Sequence, residues 1–174
     1  ISRNKNKITG VSAAMQNYND KQDEVASSVF YNKPVQKYYD GVSLDAIWAV
    51  RSLGIDPTNG QEIYLDKKGN RTYTYRVSDQ VVCGDKLPDF QYGAQMYNQT
   101  LVDKVENASL KGNVDKRVYN GRWRNPGDLK PYKTLGNQWV AEEGEYKDEK
   151  TQATSRFVQD RNELSLSSLR VGYD

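Results

Sequence analysis

The chain has 174 residues, a length suited to one domain, and 36% of them are hydrophobic while 28% are charged. Its 25 basic and 23 acidic residues are interspersed and leave a net charge of +2, so the sequence lacks the basic field that a nucleic-acid partner requires. Histidine is absent and cysteine occurs once, at Cys83, which removes the commonest general base, the commonest zinc ligand, an internal disulfide and a thiolate metal cage.

The first part of the chain changes from a helical to a β-type hydrophobic pattern. Four apolar residues recur at spacings of three and four: Ile8, Val11, Met15 and Tyr18. This spacing predicts an amphipathic helix near residues 8–20, which the polar NDKQDE ends. From Val42 to Arg51 apolar and polar residues alternate, which predicts a strand with Trp48 in the core.

Two turn signals follow, DPTNG at residues 56–60 and KGN at residues 68–70. They predict a hairpin in which residues 62–65 pair with residues 72–77. The segment QVVCGD predicts one more short strand. We therefore expect a small antiparallel sheet built from the strands between Val42 and Cys83.

The second half opens with a helical pattern. Four residues recur every three or four positions: Tyr97, Leu101, Val105 and Ala108. They predict a second helix that Gly112 ends, and Asn113 is a candidate cap for a short third helix with Val118 on its inner side. Helical structure is thus expected near residues 95–120.

The remainder of the chain is predicted to be loop followed by β structure. Residues 121–144 are rich in Gly, Pro and Asn, which predicts a long ordered loop pinned by Trp123, Tyr132 and Trp139. We expect the polar stretch up to Ser155 to be mobile. The end, RFVQDRNELSLSSLRVGYD, predicts a strand that changes phase at its Ser-Ser pair and that is a candidate further member of the sheet. The fold class predicted is α+β, with helices beside a small antiparallel sheet and long ordered loops.

Carboxylate pairs are the catalytic option that remains without histidine, because two carboxylates suffice for glycoside hydrolysis. The close pairs are Asp56 with Glu62 and Asp85 with Asp89, but the first acid of each pair lies beside Pro or Gly in a turn, which accounts for it. Asp56, Asn59 and Glu62 also offer oxygen ligands for calcium, yet their spacing differs from the twelve-residue calcium loop. We therefore expect no catalytic residue, no metal and no cofactor.

Aromatic residues supply the candidate substrate-binding positions, because a ring with a flat apolar face and a polar edge can stack on a sugar. The candidates are Trp123, Tyr132 and Trp139, all within the predicted loop. Trp48 is expected in the core, whereas Trp123 is expected to be the more exposed tryptophan.

Several longer motifs occur in a characteristic order: AIWAV followed by LGIDP, the NG and GN turns, GDKLPDF, YNQTLVDKVENA, RW with PGD, and SRFVQD with LSLSSL. In this order and rough spacing the chain resembles the C-terminal third of the SusC/RagA-like TonB-dependent outer-membrane transporters of Bacteroidetes. The resemblance covers nearly the whole chain.

The resemblance implies a parent protein with a 22-stranded barrel and an N-terminal plug, capped by a SusD-like surface lipoprotein that delivers a glycan or peptide for energised import. Spanning strands need about 9 to 11 residues, and most β-prone runs here are shorter or more polar. The resemblance therefore implies that residues 1–174 are a soluble domain made of extracellular loops at the outer face of the bacterial outer membrane. TonB would act only through parts of the parent that this chain lacks.

The stretch GDKLPDFQYGAQMYNQT suggests a junction between two loop segments of this domain. In the family, GDKLPDF leads into a transmembrane hairpin of roughly 20 to 30 residues, whereas YGAQMYNQT follows Phe90 at once in this chain. We expect a first loop segment at residues 1–90, a second at residues 91–174, and a splice between Phe90 and Gln91. The start at Ile1 and the end within a predicted strand suggest an excised fragment.

Two other functions stay open. A free-standing extracellular carbohydrate-binding module would bind an oligosaccharide with no partner, and substitution of Trp123 would weaken that binding. A glycoside hydrolase using an Asp/Glu pair would release reducing sugar. The absence of histidine favours binding over catalysis.

Overall fold

The computed structural model describes residues 7–28, 31–87, 94–107, 115–134, 139–142, 145–148 and 151–161. Within these ranges the chain has the predicted α+β architecture, with a small antiparallel sheet and a few short helices. No helix in the described ranges is both long enough and apolar enough to cross a membrane. The Phe90–Gln91 junction and the Ser167–Ser168 pair both lie outside the described residues.

Helix α1 spans Ala13–Ala26, so it begins and ends later than predicted. Ser12 is its N-cap, and the Ser12 hydroxyl accepts a hydrogen bond from the Met15 amide, which explains why the helix does not start at Ile8. The NDKQDE stretch lies inside the helix, because Gln, Glu and Lys favour helices and do not stop them.

The buried side of α1 is not the apolar face that the spacing indicates. Met15 and Tyr18 are 37% and 39% exposed, whereas Asn19 and Ala26 are buried. The Asn19 amide receives a hydrogen bond from the Tyr38 backbone N–H and donates one to the Tyr38 carbonyl, each 2.8 Å long. This backbone-like pairing satisfies the buried amide and fixes the helix against residues 35–39.

The main sheet has four antiparallel strands in the order β3-β2-β1-β4. Their bounds are Ala46–Ile55 for β1, Glu62–Leu65 for β2, Arg71–Thr72 for β3 and Gln80–Asp85 for β4. The β2–β3 hairpin and the QVVCGD strand are therefore confirmed, although the predicted return strand to Val77 ends at Thr72 and continues as bends and a 3₁₀ turn, Val77–Asp79. Trp48 is buried in a cluster with Ala26, Val35 and Ala46, as predicted.

The predicted second helix begins later than expected. Its first periodic residue, Tyr97, belongs to strand β5, Gln95–Tyr97, which pairs with strand β8, Val158–Asp160. Helix α2, Gln99–Leu101, follows and continues as a π-helical turn, Val102–Glu106. The periodic residues still meet in one place, because Tyr97, Leu101 and Val105 all contribute to the second core cluster.

Helix α3, Lys116–Asn120, is short, and its Val118 points into the second core cluster as predicted. Its cap is Asp115, which accepts a hydrogen bond from the Arg117 amide, while Asn113 lies outside the described residues. The other buried members of that cluster are Val102 and Phe157.

Two predictions about the later part of the chain are wrong. Strand β6, Trp139–Glu142, lies where the ordered loop of residues 121–144 was predicted, and it pairs with strand β7, Glu145–Asp148, which lies where a mobile segment was predicted. The described C-terminal strand β8 pairs with β5, while residues 162–174 of the predicted C-terminal strand lie outside the described residues.

Residues from the two predicted loop segments, 1–90 and 91–174, contact each other along β1. The Val50 amide donates to the Ala153 carbonyl over 3.1 Å, and the Ser52 amide donates to the Ser155 hydroxyl over 2.9 Å. Thr154, which bridges Val50 in parallel, is fully buried. Residues 151–157 therefore lie directly against the sheet and bring Arg156 to the end of β2.

Candidate functional site

A cluster of buried charges lies where β2, the π-helical turn, the 121–134 loop and residues 155–157 meet. We call it the Arg156 network, and its members are Glu62, Glu106, Arg122, Lys133 and Arg156. Arg156 donates to both carboxylate oxygens of Glu62 over 2.7 and 2.8 Å and to Glu106 over 2.9 Å. The side chains of both glutamates have no exposed surface. The network thus joins residues that are far apart in sequence.

Burial and ion pairing have opposite effects on the pKa values of Glu62 and Arg156 in this network. Burial by itself would raise the pKa of Glu62, but the Arg156 guanidinium outweighs it and holds the pKa below its ordinary value. Burial would lower the pKa of Arg156, and Glu62 and Glu106 together raise that pKa instead. Both partners therefore stay charged at neutral pH, and Glu62 is a structural ion and not a proton donor.

Arg122 is the member of the network that faces the loop. It is buried, and its guanidinium donates to the backbone carbonyls of four residues: Val105, Glu106, Lys133 and Thr134. Its Nε is buried with no hydrogen-bond partner in the described part of the chain. Burial lowers the pKa of Arg122, while Glu106 opposes that shift. Arg122 therefore clamps the π-helical turn to the end of the loop.

The loop at residues 121–134 is ordered by its own backbone pairing and by the DPTNG turn. The Trp123 amide donates a hydrogen bond of 3.0 Å to the Tyr132 carbonyl, and the Tyr132 amide donates one of 3.1 Å to the Gly121 carbonyl, which closes the loop at its base. The Trp123 indole N–H donates to the Pro57 carbonyl over 2.8 Å, and the Gly127 amide donates to the same carbonyl over 2.7 Å. Residues 121–134 thus form an ordered loop that packs on the DPTNG turn, whereas the predicted loop extended to residue 144.

Trp123 is half-buried and is a structural anchor where an exposed binding residue was expected. Gly60 has a positive φ of 73°, and a Cβ at that position would lie 2.4 Å from an indole carbon. The glycine therefore lets the tryptophan ring lie directly on the turn. Since the ring contacts backbone on one side and donates its N–H to Pro57, little of it is available to a ligand.

Tyr132 also has a supporting position in the loop. Tyr132 is half-buried, packs against the second core cluster and lies over Gly121. Trp139 lies in β6, opposite Asp148 in the β6–β7 hairpin. The structure therefore places Trp123 and Tyr132 in supporting positions of the loop.

Residues of helix α3 and of the 121–134 loop form an open pocket of about 460 Å³. We call it the Tyr119 pocket, and six residues line it: Tyr119, Asn120, Arg122, Arg124, Asp128 and Lys130. Tyr119, which lies in helix α3, is 62% exposed. The Arg124 guanidinium lies 4.9 Å from the centre of the Tyr119 ring. The pocket therefore offers an aromatic surface surrounded by charged and amide groups.

Helix α3 and the loop hold the cations of this pocket in place. Arg124 donates to the Tyr119 carbonyl and Lys130 donates to the Asn120 carbonyl over 3.1 Å, so each caps the C-terminal end of α3. Asp128 accepts hydrogen bonds of 3.0 Å from the amides of Arg124 and Asn125 through one carboxylate oxygen. These amide hydrogen bonds lower the pKa of Asp128, so it is ionised at neutral pH.

The structure does not bring Asp56 and Glu62 together as a catalytic pair. Asp56 serves its turn by accepting from the Thr58 amide over 2.7 Å, while Glu62 binds Arg156 in the buried network. Asp85 accepts from the Leu87 amide over 2.9 Å, and Asp89 lies outside the described residues. Turn chemistry therefore accounts for both described aspartates, as predicted.

The calcium-loop reading of the DPTNG turn also fails on geometry. Asn59 accepts a hydrogen bond from the Gln61 amide over 2.9 Å, and Glu62 is turned inward to Arg156. Across the part of the chain that the structure describes, no group of three or more Cys, Asp or Glu side chains could hold a metal ion. The turn is structural, which is the interpretation that its spacing favours.

Sequence reasoning missed the residues that matter most here. Glu106, Arg122 and Arg156 look like ordinary surface charges, and nothing in their local patterns indicates burial. Tyr119 follows the inward-facing Val118 by one position, so a helical wheel would have placed it outward, and that signal was available.

Searches against protein-family models, curated proteins and solved structures find no significant match for this chain.

Proposed function

We propose that this chain captures a ligand at the Tyr119 pocket and does so as an extracellular part of a SusC/RagA-like nutrient importer. The ligand class is an oligosaccharide, with a peptide as the second candidate, and a SusD-like surface lipoprotein is the partner that delivers it. The process is binding without a covalent step. The importer assignment rests on the order of sequence motifs, and the binding assignment rests on the geometry of the pocket.

The observation that carries the binding proposal is the exposed Tyr119 ring at the edge of a polar pocket. A surface aromatic ring offers a flat apolar face to a sugar ring, and nearby amide and charged groups can bind the hydroxyls. Asn120 and Asp128 provide such groups in the pocket lining. The ordered loop and the Arg156 network beneath it hold these groups in fixed positions, which reduces the entropy cost of binding.

The pocket also supports binding over hydrolysis. Of the residues that line it, Asp128 is the single carboxylate, whereas glycoside hydrolysis uses a pair. Its lowered pKa makes it a poor general acid at neutral pH. A panel of glycans incubated with the protein should therefore show no release of reducing sugar, and turnover of any of them would revive the hydrolase alternative.

The test is isothermal titration calorimetry of the wild type and of Tyr119→Ala against a panel of neutral and acidic oligosaccharides and short peptides. Loss of a stacking ring should weaken binding by roughly two- to twelve-fold, since such contacts contribute about 0.5–1.5 kcal/mol beyond area burial. Tyr18→Ala is the matched control, because Tyr18 is also an exposed tyrosine on a helix but lies far along the chain on α1. Equal affinity in wild type and Tyr119→Ala would contradict the proposal.

The importer assignment has its own test. If residues 1–90 and 91–174 are two outer loops joined across a deleted transmembrane hairpin, related genomic reading frames should carry roughly 20 to 30 additional codons between Phe90 and Gln91. If the natural gene encodes Phe90 and Gln91 next to each other, the proposed splice between the two loop segments is wrong. It would leave ligand capture at the pocket to be judged by calorimetry.

A further inference from the structure

The charges around the Tyr119 pocket are unevenly distributed. Three of its six lining residues are cations, Arg122, Arg124 and Lys130, and they face the single carboxylate of Asp128. The chain as a whole is close to neutral, with 25 basic and 23 acidic residues. The pocket is therefore locally positive, whereas the charges of the chain as a whole nearly balance.

The buried charges beneath the pocket cancel only in part, because the Arg156 network holds three cations, Arg122, Lys133 and Arg156, against two carboxylates, Glu62 and Glu106. Within the described contacts, the buried Arg122 guanidinium donates to backbone carbonyls and to no carboxylate, and its Nε–H has no acceptor. A carbonyl solvates a guanidinium but does not neutralise it. Because the Nε–H is enclosed by protein, Arg122 acts on the pocket through its charge and not through a direct contact.

The two exposed cations are fixed but not saturated. Arg124 uses one nitrogen for the Tyr119 carbonyl, and Lys130 uses one hydrogen of its ammonium for the Asn120 carbonyl. A guanidinium has five N–H donors and an ammonium has three, so both keep donors for a ligand. Their contacts with the helix end hold them beside the Tyr119 ring, where a bound sugar would present its substituents.

These features together select a ligand. We infer that the Tyr119 pocket binds an oligosaccharide that carries a carboxylate, such as a uronic acid unit, with the carboxylate on Arg124 and Lys130 and the sugar ring on Tyr119. The inference rests on the proposed function and narrows its ligand class. The free oxygen of Asp128 and the amide of Asn120 serve the hydroxyl groups, which an acidic peptide does not offer in comparable number. A uronic acid therefore fits the whole lining better than a peptide carboxylate does.

The experiment compares three probes by calorimetry: trigalacturonate, its fully methyl-esterified form, and an acidic tripeptide. The ester has the same sugar skeleton without charge. We expect the acid to bind roughly ten-fold or more tightly than the ester, since hydrogen bonds to charged groups contribute about 1.5–3 kcal/mol. Raising NaCl from about 50 to about 300 mM should weaken binding of the acid and leave the ester unchanged.

Variants then locate the charge effect. Arg124→Gln and Lys130→Gln should each weaken binding of the acid several-fold with little effect on the ester, while Arg124→Lys, which keeps the charge, should retain most of the affinity. Arg117→Gln is the control, because Arg117 is an exposed arginine of the same helix that pairs with Asp115. Circular dichroism and urea unfolding of each variant separate a lost contact from a lost fold.

Three outcomes of these experiments would overturn the inference. If acid and ester bind alike and the Gln variants change nothing, the inference is overturned while the proposed function stands, provided that Tyr119→Ala still loses binding. If neither galacturonide binds but a neutral glycan from the panel does, the same conclusion holds. If only the tripeptide binds, and depends on Arg124 and Lys130, the pocket is a peptide carboxylate site and the inference fails.

Discussion

Replacement of Arg156 by methionine should remove a large share of the stability of this protein. The Arg156 side chain is 11% exposed and its two carboxylate partners, Glu62 and Glu106, are fully enclosed. Arg156→Met would leave both carboxylates buried without their main counter-ion. Removal of one partner from a buried ion pair costs about 3–5 kcal/mol, against a typical total of about 5–15 kcal/mol.

Equilibrium urea unfolding followed by tryptophan fluorescence measures this cost. With an m-value of about 2 kcal/mol/M, the midpoint should fall by about 2 M. Arg117→Met is the matched control, since its side chain is 50% exposed and its pair with Asp115 lies in solvent, where ion pairs contribute little. The two midpoints should therefore differ clearly.

A double-mutant cycle tests the assigned partner. Glu62→Gln/Arg156→Met should be less destabilised than the sum of its two single variants, because the double variant no longer buries the Glu62 carboxylate without its guanidinium. If Arg156→Met unfolds at the same urea concentration as Arg117→Met, or if the two single effects simply add, the network does not stabilise the fold as argued.

Two further predictions use pH and matched glycines. The lowered pKa of Glu62 means that its stabilising effect is present above its ordinary pKa of 4.5 and is lost as pH falls through the lowered folded value. The difference in free energy of unfolding between wild type and Glu62→Gln should therefore shrink between about pH 6 and about pH 3, and a constant difference would contradict this. Gly60→Ala should cost about 1–3 kcal/mol more than Gly69→Ala, since both have positive φ but only Gly60 contacts Trp123. Equal costs in urea unfolding would show that the indole does not lie on the turn.

The main sheet could be predicted because its signals are local. The DPTNG and KGN turns fix where β1, β2 and β3 meet. Trp48 is in the core as expected, but the predicted alternation of buried and exposed positions is wrong, because β1 begins at Ala46 and all five residues from Ala46 to Val50 are buried. Helix ends were harder, because apolar spacing alone ignores the caps. Ser12 and Asp115 each accept hydrogen bonds from helix amides and decide where α1 and α3 begin, whatever the apolar pattern suggests.

The Arg156 network could not be predicted, because it has no local pattern. Glu62, Glu106 and Arg156 are separated by 44 and 50 positions in sequence, and no shared motif links them. Their burial depends on how β2, the π-helical turn and residues 155–157 pack, and this is a property of the tertiary structure. The contact of the Trp123 ring with Gly60 is likewise a property of the tertiary structure.

Chemical-shift mapping by NMR tests ligand capture most directly. An isotope-labelled sample of the protein would be titrated with the oligosaccharide that binds most tightly by calorimetry, and backbone amide shifts would be followed along the chain. The account predicts that the largest shifts cluster between Tyr119 and Lys130 and that α1 stays unchanged. Shifts centred on another surface, or no saturable shifts with any glycan or peptide of the panel, would contradict the claim that the Tyr119 pocket is the binding site.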